Sequence, residues 1–256
     1  LGGMGLYADP GVPATTVDKE GALLQFVDER WQRIGQLEPD FYFSITKGRA
    51  NALWLTGRKG AVQWDLDRRV IRSRINLPPG VESLLDTRSG RLFAGSSDHI
   101  FEYVNGNWVE TPAGPKREAE NTNVFVETAR GHLFVSNLFS LALWKLTDSG
   151  GMEELHRLES EKNFRGSITN LDGSVFIGSN EEGIYRYDNG ELTFEVPFEK
   201  TPGARVRSMF RASNGQIWTG ALDTGVSSYK EGRWKWYGPG EGIPNGGVHA
   251  IVEDPS

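Results

Sequence analysis

The hexapeptide Gly215-Gln216-Ile217-Trp218-Thr219-Gly220 places a small residue two positions before an aliphatic–aromatic pair. The same arrangement recurs along the chain. Its other copies are Gly90-Arg91-Leu92-Phe93-Ala94-Gly95, Gly131-His132-Leu133-Phe134-Val135-Ser136, Gly173-Ser174-Val175-Phe176-Ile177-Gly178, Asn51-Ala52-Leu53-Trp54-Leu55-Thr56 and, more weakly, Gly11-Val12-Pro13-Ala14-Thr15-Thr16. The first residues of the copies are spaced 39 to 42 positions apart. So regular a spacing indicates an internal repeat of about 41 residues.

A second feature keeps phase with the first. An aromatic residue follows each copy's first residue by 13 to 15 positions; these residues are Phe26, Trp64, Tyr103, Trp144, Tyr187 and Tyr229. Turn residues come next, as in Asn105-Gly106 and Asn189-Gly190, and an alternating apolar run such as 206–210 precedes each copy. Each repeat therefore reads as four short strands, which we name A to D in chain order, with the aliphatic–aromatic pair in strand B.

Four antiparallel strands repeated every 40 to 45 residues are typical of a β-propeller blade. We predict an all-β fold, a β-propeller of six four-stranded antiparallel blades in a single domain over residues 1–256. An open fragment of a seven-bladed or double propeller is the alternative, because residues 246–255 resemble a seventh strand A. The strand B aromatics should be buried as wedges between blades; they are Trp54, Phe93, Phe134, Phe176 and Trp218.

Composition excludes several classes of protein. The chain has 256 residues with 32 Gly and no Cys, so disulfides, thiolate zinc sites and cysteine nucleophiles are absent. The net charge of −6 without a basic block argues against a nucleic-acid partner. No run approaches the roughly 18 apolar residues of a membrane helix. The chain begins Leu1-Gly2-Gly3-Met4, so we expect a piece of a longer protein or a processed one.

The last two repeats carry a more specific pattern. They contain Gly183-Ile184-Tyr185-Arg186-Tyr187-Asp188, then the stretch 234–245 and Val248-His249-Ala250-Ile251-Val252-Glu253-Asp254. This pattern resembles the two-component regulator propeller repeat. The resemblance extends over the whole chain, because the repeat of about 41 residues continues along all of it. Earlier repeats depart from the family pattern, since Ala14 stands where the family has Trp and the middle repeats lack Glu-Asp.

The resemblance implies a non-enzymatic sensor or ligand-binding propeller, the extracytoplasmic input domain of a two-component regulator. Family members often respond to polysaccharide fragments, which implies a small polar ligand such as an oligosaccharide and a periplasmic or otherwise extracytoplasmic location. It also implies further propeller or signalling domains in the parent protein. A protein-interaction or secretion-associated scaffold on the same blades is the alternative.

The sequence contains no specific catalytic motif. No two of His99, His132, His156 and His249 have a metal-like spacing, and no Gly-x-Ser-x-Gly motif is present. Gly57-Arg58-Lys59-Gly60 lacks the helix that a phosphate loop requires. We therefore predict no cofactor, no metal and no enzymatic activity. A hydrolase or lyase is a further alternative, because separate blades could supply two carboxylates across a cleft.

Ligands of propellers usually bind where the D–A and B–C loops surround the mouth of the channel, and the candidates are chosen there. They are Arg165, Arg205, Arg207, Tyr42, Arg58, His99, Phe139, Glu181 and Asp223. Arg205 and Arg207 are two residues apart and should point to the same side of a strand A. Arg165 enters the preceding strand A, so the three guanidinium groups are expected to converge. Mixed charged, amide and aromatic groups suit a sugar.

Overall fold

The chain folds into six four-stranded antiparallel sheets, the blades of a six-bladed β-propeller fold. A computed structural model describes residues 6–9, 12–96, 99–113, 124–136, 140–159, 164–169, 173–179, 183–197, 206–221, 225–231, 233–243, 247–248, 251 and 253. Side chains are not described at 6–9, 12, 124–125, 165–169, 196–197 and 207. Among the described residues, no helix has the length and apolar character needed to cross a membrane. The predicted fold class is confirmed.

The chain divides into two compact units, and the first consists of Leu1–Pro112 with Val252–Ser256. It holds three blades, in which the strands follow one another in the predicted order A, B, C, D. Blade 1 is β1 Leu6–Asp9, β2 Val12–Val17, β3 Ala22–Val27 and β4 Arg30–Gln36; blade 2 is β5 Tyr42–Gly48, β6 Ala52–Gly57, β7 Gly60–Asp65 and β8 Val70–Ile75; blade 3 is β9 Ser83–Asp86, β10 Leu92–Gly95, β11 Ile100–Val104 and β12 Asn107–Glu110. The A strands β1, β5 and β9 adjoin in succession.

The second unit is Ala113–Ile251 and holds the other three blades. Blade 4 is β13 Val124–Glu127, β14 His132–Ser136, β15 Ser140–Leu146 and β16 Met152–Glu159; blade 5 is β17 Phe164–Thr169, β18 Val175–Ser179, β19 Gly183–Asp188 and β20 Glu191–Pro197; blade 6 is β21 Val206–Arg211, β22 Ile217–Ala221, β23 Val226–Lys230 and β24 Arg233–Tyr237. The A strands β13, β17 and β21 adjoin in the same way. A single 3₁₀ turn, Pro239–Glu241, follows β24 in the described part of the chain.

Four of the five strand B aromatics are buried, as predicted. Trp54, Phe93, Phe134 and Phe176 are at most 4% exposed. Phe134 packs on Tyr187 of the following blade with ring centroids 5.2 Å apart, and Phe176 packs on Tyr229 at 5.4 Å. A lone four-stranded sheet cannot bury both of its faces, so these contacts between successive blades form the core.

The prediction for Trp218 is wrong, because this residue is only partly buried. It lies on β22 of blade 6, the last blade along the chain. Its indole stacks on Tyr237 of the same blade, with ring centroids 5.5 Å apart. Trp218 therefore covers its own blade's outer strand, unlike the buried rings of β14 and β18.

The first repeat, where Pro13 and Ala14 replace the aliphatic–aromatic pair, has irregular strand pairing. The register between β1 and β2 shifts between Tyr7 and Asp9, opposite Pro13 and Ala14. Proline has no N–H to donate, so a strand tolerates it at a bulge or an edge. The structure therefore accommodates Pro13 at an irregularity within a central strand.

The seventh segment that resembles strand A follows blade 6. Its Val248 lies outside regular strand structure. Its N–H donates to the Ala221 carbonyl at 2.8 Å, and its carbonyl accepts from the Ser208 hydroxyl at 3.0 Å. The segment is therefore held against β21 and β22 by backbone contacts. The prediction of one domain over residues 1–256 stays a prediction.

Candidate functional site

Two adjacent clefts open at the B–C end of blade 2. The larger has a volume of about 450 Å³, within the range of small-molecule sites, and the smaller about 240 Å³. Both are lined by Lys59, Gly60 and Asn76. The clefts therefore flank one short hairpin turn, Gly57-Arg58-Lys59-Gly60, between β6 and β7.

The larger cleft combines an apolar wall with charged groups. The connection from β8 to β9 supplies Leu77, Pro78, Pro79, Val81 and Glu82, and the turn supplies Arg58 and Lys59. Phe43 of β5 completes the wall. Aromatic and proline surfaces with a few charged groups around them are typical of sites for small polar ligands with one apolar face.

A β-bulge places Phe43 at this cleft. In the pairing of β5 with β6, Tyr42 lies opposite Gly57 and Ser44 opposite Thr56, so Phe43 is an extra residue. A bulge bends the strand and redirects a side chain. Related irregularities lie between Arg165 and Ser167 in β17 and between Val206 and Ser208 in β21. The sequence pattern does not predict them, because alternation over a strand of six or seven residues is too short to expose one extra position.

The smaller cleft is built around the connection from β4 to β5. Its wall includes Tyr42, Arg74, Glu38 and Asp40. The Tyr42 hydroxyl donates to the Glu38 carbonyl at 3.2 Å, and the Arg74 guanidinium lies 3.3 Å from the Glu38 carboxylate. Burial raises the pKa of the Tyr42 phenol, and the neighbouring carboxylate of Asp40 raises it further. Tyr42 is therefore a neutral hydroxyl at physiological pH.

Asp40 joins the two walls of the site. One of its carboxylate oxygens accepts the Lys59 backbone N–H at 3.0 Å, and the other accepts the N–H of Phe41 at 2.7 Å. The Lys59 ammonium in turn donates to the Pro39 carbonyl at 2.9 Å. Asp40 thus holds the β6–β7 turn against the β4–β5 connection.

Gly57 and Gly60 flank the turn, and the closeness of neighbouring atoms explains why these positions are glycine. A Cβ at Gly57 would lie 2.5 Å from a carboxylate oxygen of Asp40. Gly60 has φ +123°, and a Cβ there would lie 2.5 Å from the Ile75 carbonyl oxygen. At Gly60 the contact is with backbone and φ is positive, so the turn requires glycine there, whereas a side chain at Gly57 would displace the Asp40 carboxylate.

Of the predicted ligand residues, the structure brings two into this site. Tyr42 lines the smaller cleft and Arg58 the larger. The Arg58 guanidinium lies over the ring of Phe41, 4.8 Å from its centroid. The sequence pattern does not indicate Phe43, Asn76 or Pro78–Gly80 as site residues, because their positions depend on a bulge and on a loop conformation. The Gly-rich turn was the available signal for the site.

His99 lies elsewhere, at the B–C end of blade 3. Its ring is 5.8 Å from that of Phe101 and stacked on it, and its Nε2 atom is 3.6 Å from a Glu110 carboxylate oxygen. His99 does not line either cleft. Of the other histidines, His132 is half-buried on β14, and burial lowers the pKa of its imidazole. Within the described part of the chain, no three His, Cys, Asp or Glu side chains are grouped to hold a metal ion.

The remaining candidates stay predictions. Arg205, Phe139, Glu181 and Asp223 lie outside the described residues. Arg165 and Arg207 belong to β17 and β21, which adjoin, but their side chains are not among those described. Arg207 sits at the register shift of β21, where simple alternation of side chains does not apply.

Comparisons with known proteins identify the fold by structure. No family model matches the chain, and no curated protein matches it in sequence. A streptogramin B lyase is similar with a TM-score of 0.72 at 15% identity, covering 92% of this chain and 82% of the lyase. A catalytically inactive virginiamycin B lyase from Staphylococcus aureus, with one histidine replaced by alanine and with quinupristin, has a TM-score of 0.70 at 14% identity, covering 92% and 84%.

A sensor protein is also among the similar structures. The extracellular domain of a hybrid two component system from B. thetaiotaomicron has a TM-score of 0.69 at 12% identity. The match covers 96% of this chain and 35% of that domain, so the chain spans about a third of the sensor's length. Identities this low show the fold alone, and both an enzyme and a sensor share it.

Proposed function

We propose that this protein is a non-enzymatic ligand-binding β-propeller, the extracytoplasmic input domain of a two-component regulator, and that it recognises a polar solute such as an oligosaccharide. The observation that carries the proposal is the larger cleft of blade 2. There the rings of Phe43, Pro78 and Pro79 stand beside Arg58 and Lys59. Sugars present apolar ring faces and polar edges, so they match a wall of this composition.

The structural similarity to the extracellular domain of a hybrid two component system supports a sensor role. The sequence pattern of the last two repeats supports the same role independently. A propeller supplies rigid strands with variable loops at their ends, which lets ligand specificity change without altering the fold.

Calorimetric titration of the protein with a panel of neutral and acidic oligosaccharides tests the proposal. Phe43→Ala should weaken the binding of a recognised oligosaccharide by about tenfold, because stacking on an aromatic ring contributes roughly 1 kcal/mol or more. Phe194→Ala removes an exposed ring on β20 and is the matched control. Binding that Phe43→Ala leaves unchanged would place the ligand elsewhere.

A lyase is the second candidate, and the similarity to streptogramin B lyase favours it. The inactive virginiamycin B lyase variant lacks one histidine, which links that enzyme's activity to an imidazole. The described residues that line the two clefts of blade 2 include no histidine. The clefts therefore favour binding over this kind of chemistry.

Incubation with quinupristin separates the two candidates. The lyase candidate requires loss of intact quinupristin, followed by chromatography, in proportion to protein concentration. The sensor proposal expects the quinupristin peak to persist while an oligosaccharide from the panel binds.

A further inference from the structure

The two clefts differ in whether their charged side chains have an oppositely charged partner. Several arginines of the described chain have a carboxylate partner within 4.0 Å. Examples are Arg49 with Asp86, Arg72 with Asp65, and Arg91 with Glu102. The same holds in the smaller cleft, where Glu38 pairs with Arg74 and Asp40 accepts two backbone N–H groups.

Arg58 and Lys59 are different. Among the described residues, neither has a carboxylate within 4.0 Å. Arg58 lies on the ring of Phe41, and the Lys59 ammonium donates to a backbone carbonyl. An ammonium has three donors and a guanidinium five, so both side chains keep donors free for a ligand.

The larger cleft therefore has a positive balance. Glu82 is the described carboxylate that lines it, against the two cations Arg58 and Lys59. The chain as a whole carries a net charge of −6. Two adjacent cations without a carboxylate partner on an acidic protein attract an anionic group of a ligand. The Arg58 guanidinium is held over the ring of Phe41, and its planar fork of donors suits paired hydrogen bonds to a carboxylate.

We infer that the larger cleft binds the carboxylate of an acidic oligosaccharide through Arg58 and Lys59. In the smaller cleft the carboxylates already have partners. This cleft, which contains the Tyr42 hydroxyl, binds a neutral sugar unit of the same oligosaccharide. The two clefts share Lys59, Gly60 and Asn76, so neighbouring sugar units reach both. This inference rests on the proposed function and adds the ligand class and its anchoring residues.

Trigalacturonic acid and its methyl ester are suitable probes, because they share a backbone and differ in charge. Calorimetry should show the acid binding at least about tenfold more tightly than the ester, the effect of one charge-assisted contact. The acid's affinity should fall with added salt, since salt screens exposed charges. The ester's affinity should change little.

Three variants refine the test. Arg58→Gln and Lys59→Gln should each weaken the acid about tenfold and leave the ester unchanged. Glu82→Gln should strengthen the binding of the acid, because it removes the opposing charge. Arg68→Gln is the control, an exposed arginine in the turn at the other end of blade 2. Circular dichroism and thermal melting confirm folding.

The outcomes separate the inference from the proposed function. Equal binding of the acid and the ester, with loss in Phe43→Ala, keeps the sensor site and overturns the inference. Acid binding that survives both Arg58→Gln and Lys59→Gln also overturns it. If neither probe binds, the acidic ligand class is wrong, and the neutral members of the panel decide the proposed function. If the Arg58 variant does not fold, the Glu82 variant and the comparison of acid with ester give the answer.

Discussion

Single buried polar residues join neighbouring blades, and Asp86 is the clearest example. It ends β9 of blade 3, and its carboxylate is 1% exposed. It accepts the indole N–H of Trp54 in blade 2 at 3.2 Å and binds Arg49 through both the backbone N–H and Nε, at 3.1 and 2.5 Å. The buried Trp54 of blade 2 is thus fixed by the hydrogen bond that it donates to blade 3.

Asp86→Ala should lower the free energy of unfolding by about 2–4 kcal/mol, because it leaves a buried indole N–H and a cation without their acceptor. Urea denaturation measures the change. Glu20→Ala is the control, since Glu20 pairs with Lys19 at 3.9 Å with both side chains exposed, and it should change stability by at most about 0.5 kcal/mol. Equal effects of the two substitutions would contradict the role of Asp86.

The buried phenol of Tyr187 should make the free energy of unfolding depend on pH in the alkaline range. Burial raises the pKa of its phenol to about 12 from the ordinary 10.0, and its hydroxyl has no hydrogen-bond partner among the described residues. The folded state therefore keeps the proton that the unfolded state loses between pH 10 and 12. The stabilisation is complete below pH 10 and is lost as the pH rises towards 12, by up to about 1.4 kcal/mol per pH unit.

Tyr187→Phe should remove this part of the alkaline dependence, measured by urea denaturation between pH 9 and 11.5. At pH 7 the variant should be as stable as the parent, because it removes a buried hydroxyl without a described partner and keeps the ring contact with Phe134. An unchanged slope above pH 10 would show that Tyr187 ionises freely in the folded protein.

At the scale of strands, the B strands differ in how completely their aromatic side chain is buried. Phe134 of β14 is fully buried, whereas Trp218 of β22 is partly exposed. Phe134→Ala should cost about 3–5 kcal/mol of unfolding free energy, the usual loss for a buried aromatic. Trp218→Ala should cost clearly less, because the indole is already partly exposed in the folded protein. Denaturation of both variants under the same conditions tests this order, and a reversed order would contradict it.

The β6–β7 turn depends on Gly60. With φ +123° and the Ile75 carbonyl beside it, alanine there is strained, and Gly60→Ala should destabilise the protein by about 1–3 kcal/mol. It should also weaken oligosaccharide binding, because the turn carries Arg58 and Lys59. Gly240→Ala is the matched control, since no atom lies within 4 Å of a Cβ there. A Gly60 variant that retains full stability and full binding would contradict this role.

At the scale of the whole chain, the period of about 41 residues is sufficient to predict six blades. It marks each strand B by its aliphatic–aromatic pair and each turn by residues such as Asn105-Gly106, whose φ values of 50° and 86° suit a two-residue hairpin. Contacts between repeats are a different matter. The bond from Trp54 to Asp86 joins residues 32 positions apart in different blades, and periodicity does not indicate which side chains meet there.

The site was predicted in part for the same reason. Tyr42 and Arg58 were selected because the loops at the ends of strands B and D are where propellers bind ligands. The cleft itself depends on the bulge at Phe43 and on the Pro78-Pro79-Gly80 loop. A bulge also occurs in the A strands β17 and β21, so the Pro78-Pro79-Gly80 loop is the feature that distinguishes blade 2 from these blades. The regular residues of a repeat define the scaffold, and the irregular ones define the site.

The six blades should also differ in local stability, and blade 1 is expected to open most readily. In β2, Ala14 occupies the position of the buried aromatic, so the strand contributes less apolar area than β18, where Phe176 is 1% exposed. Pro13 donates no backbone hydrogen bond, and the pairing of β1 with β2 is irregular beside it. Fewer apolar contacts and fewer ladder bonds lower the free energy of local opening. Amide hydrogen exchange followed by mass spectrometry should therefore show faster exchange in residues 1–20 than in 170–230. Peptides that contain β14 and β18 serve as internal references, because both strands carry a buried phenylalanine. Equal protection of β2 and β18 would mean that the wedge aromatic contributes little to the local stability of a blade.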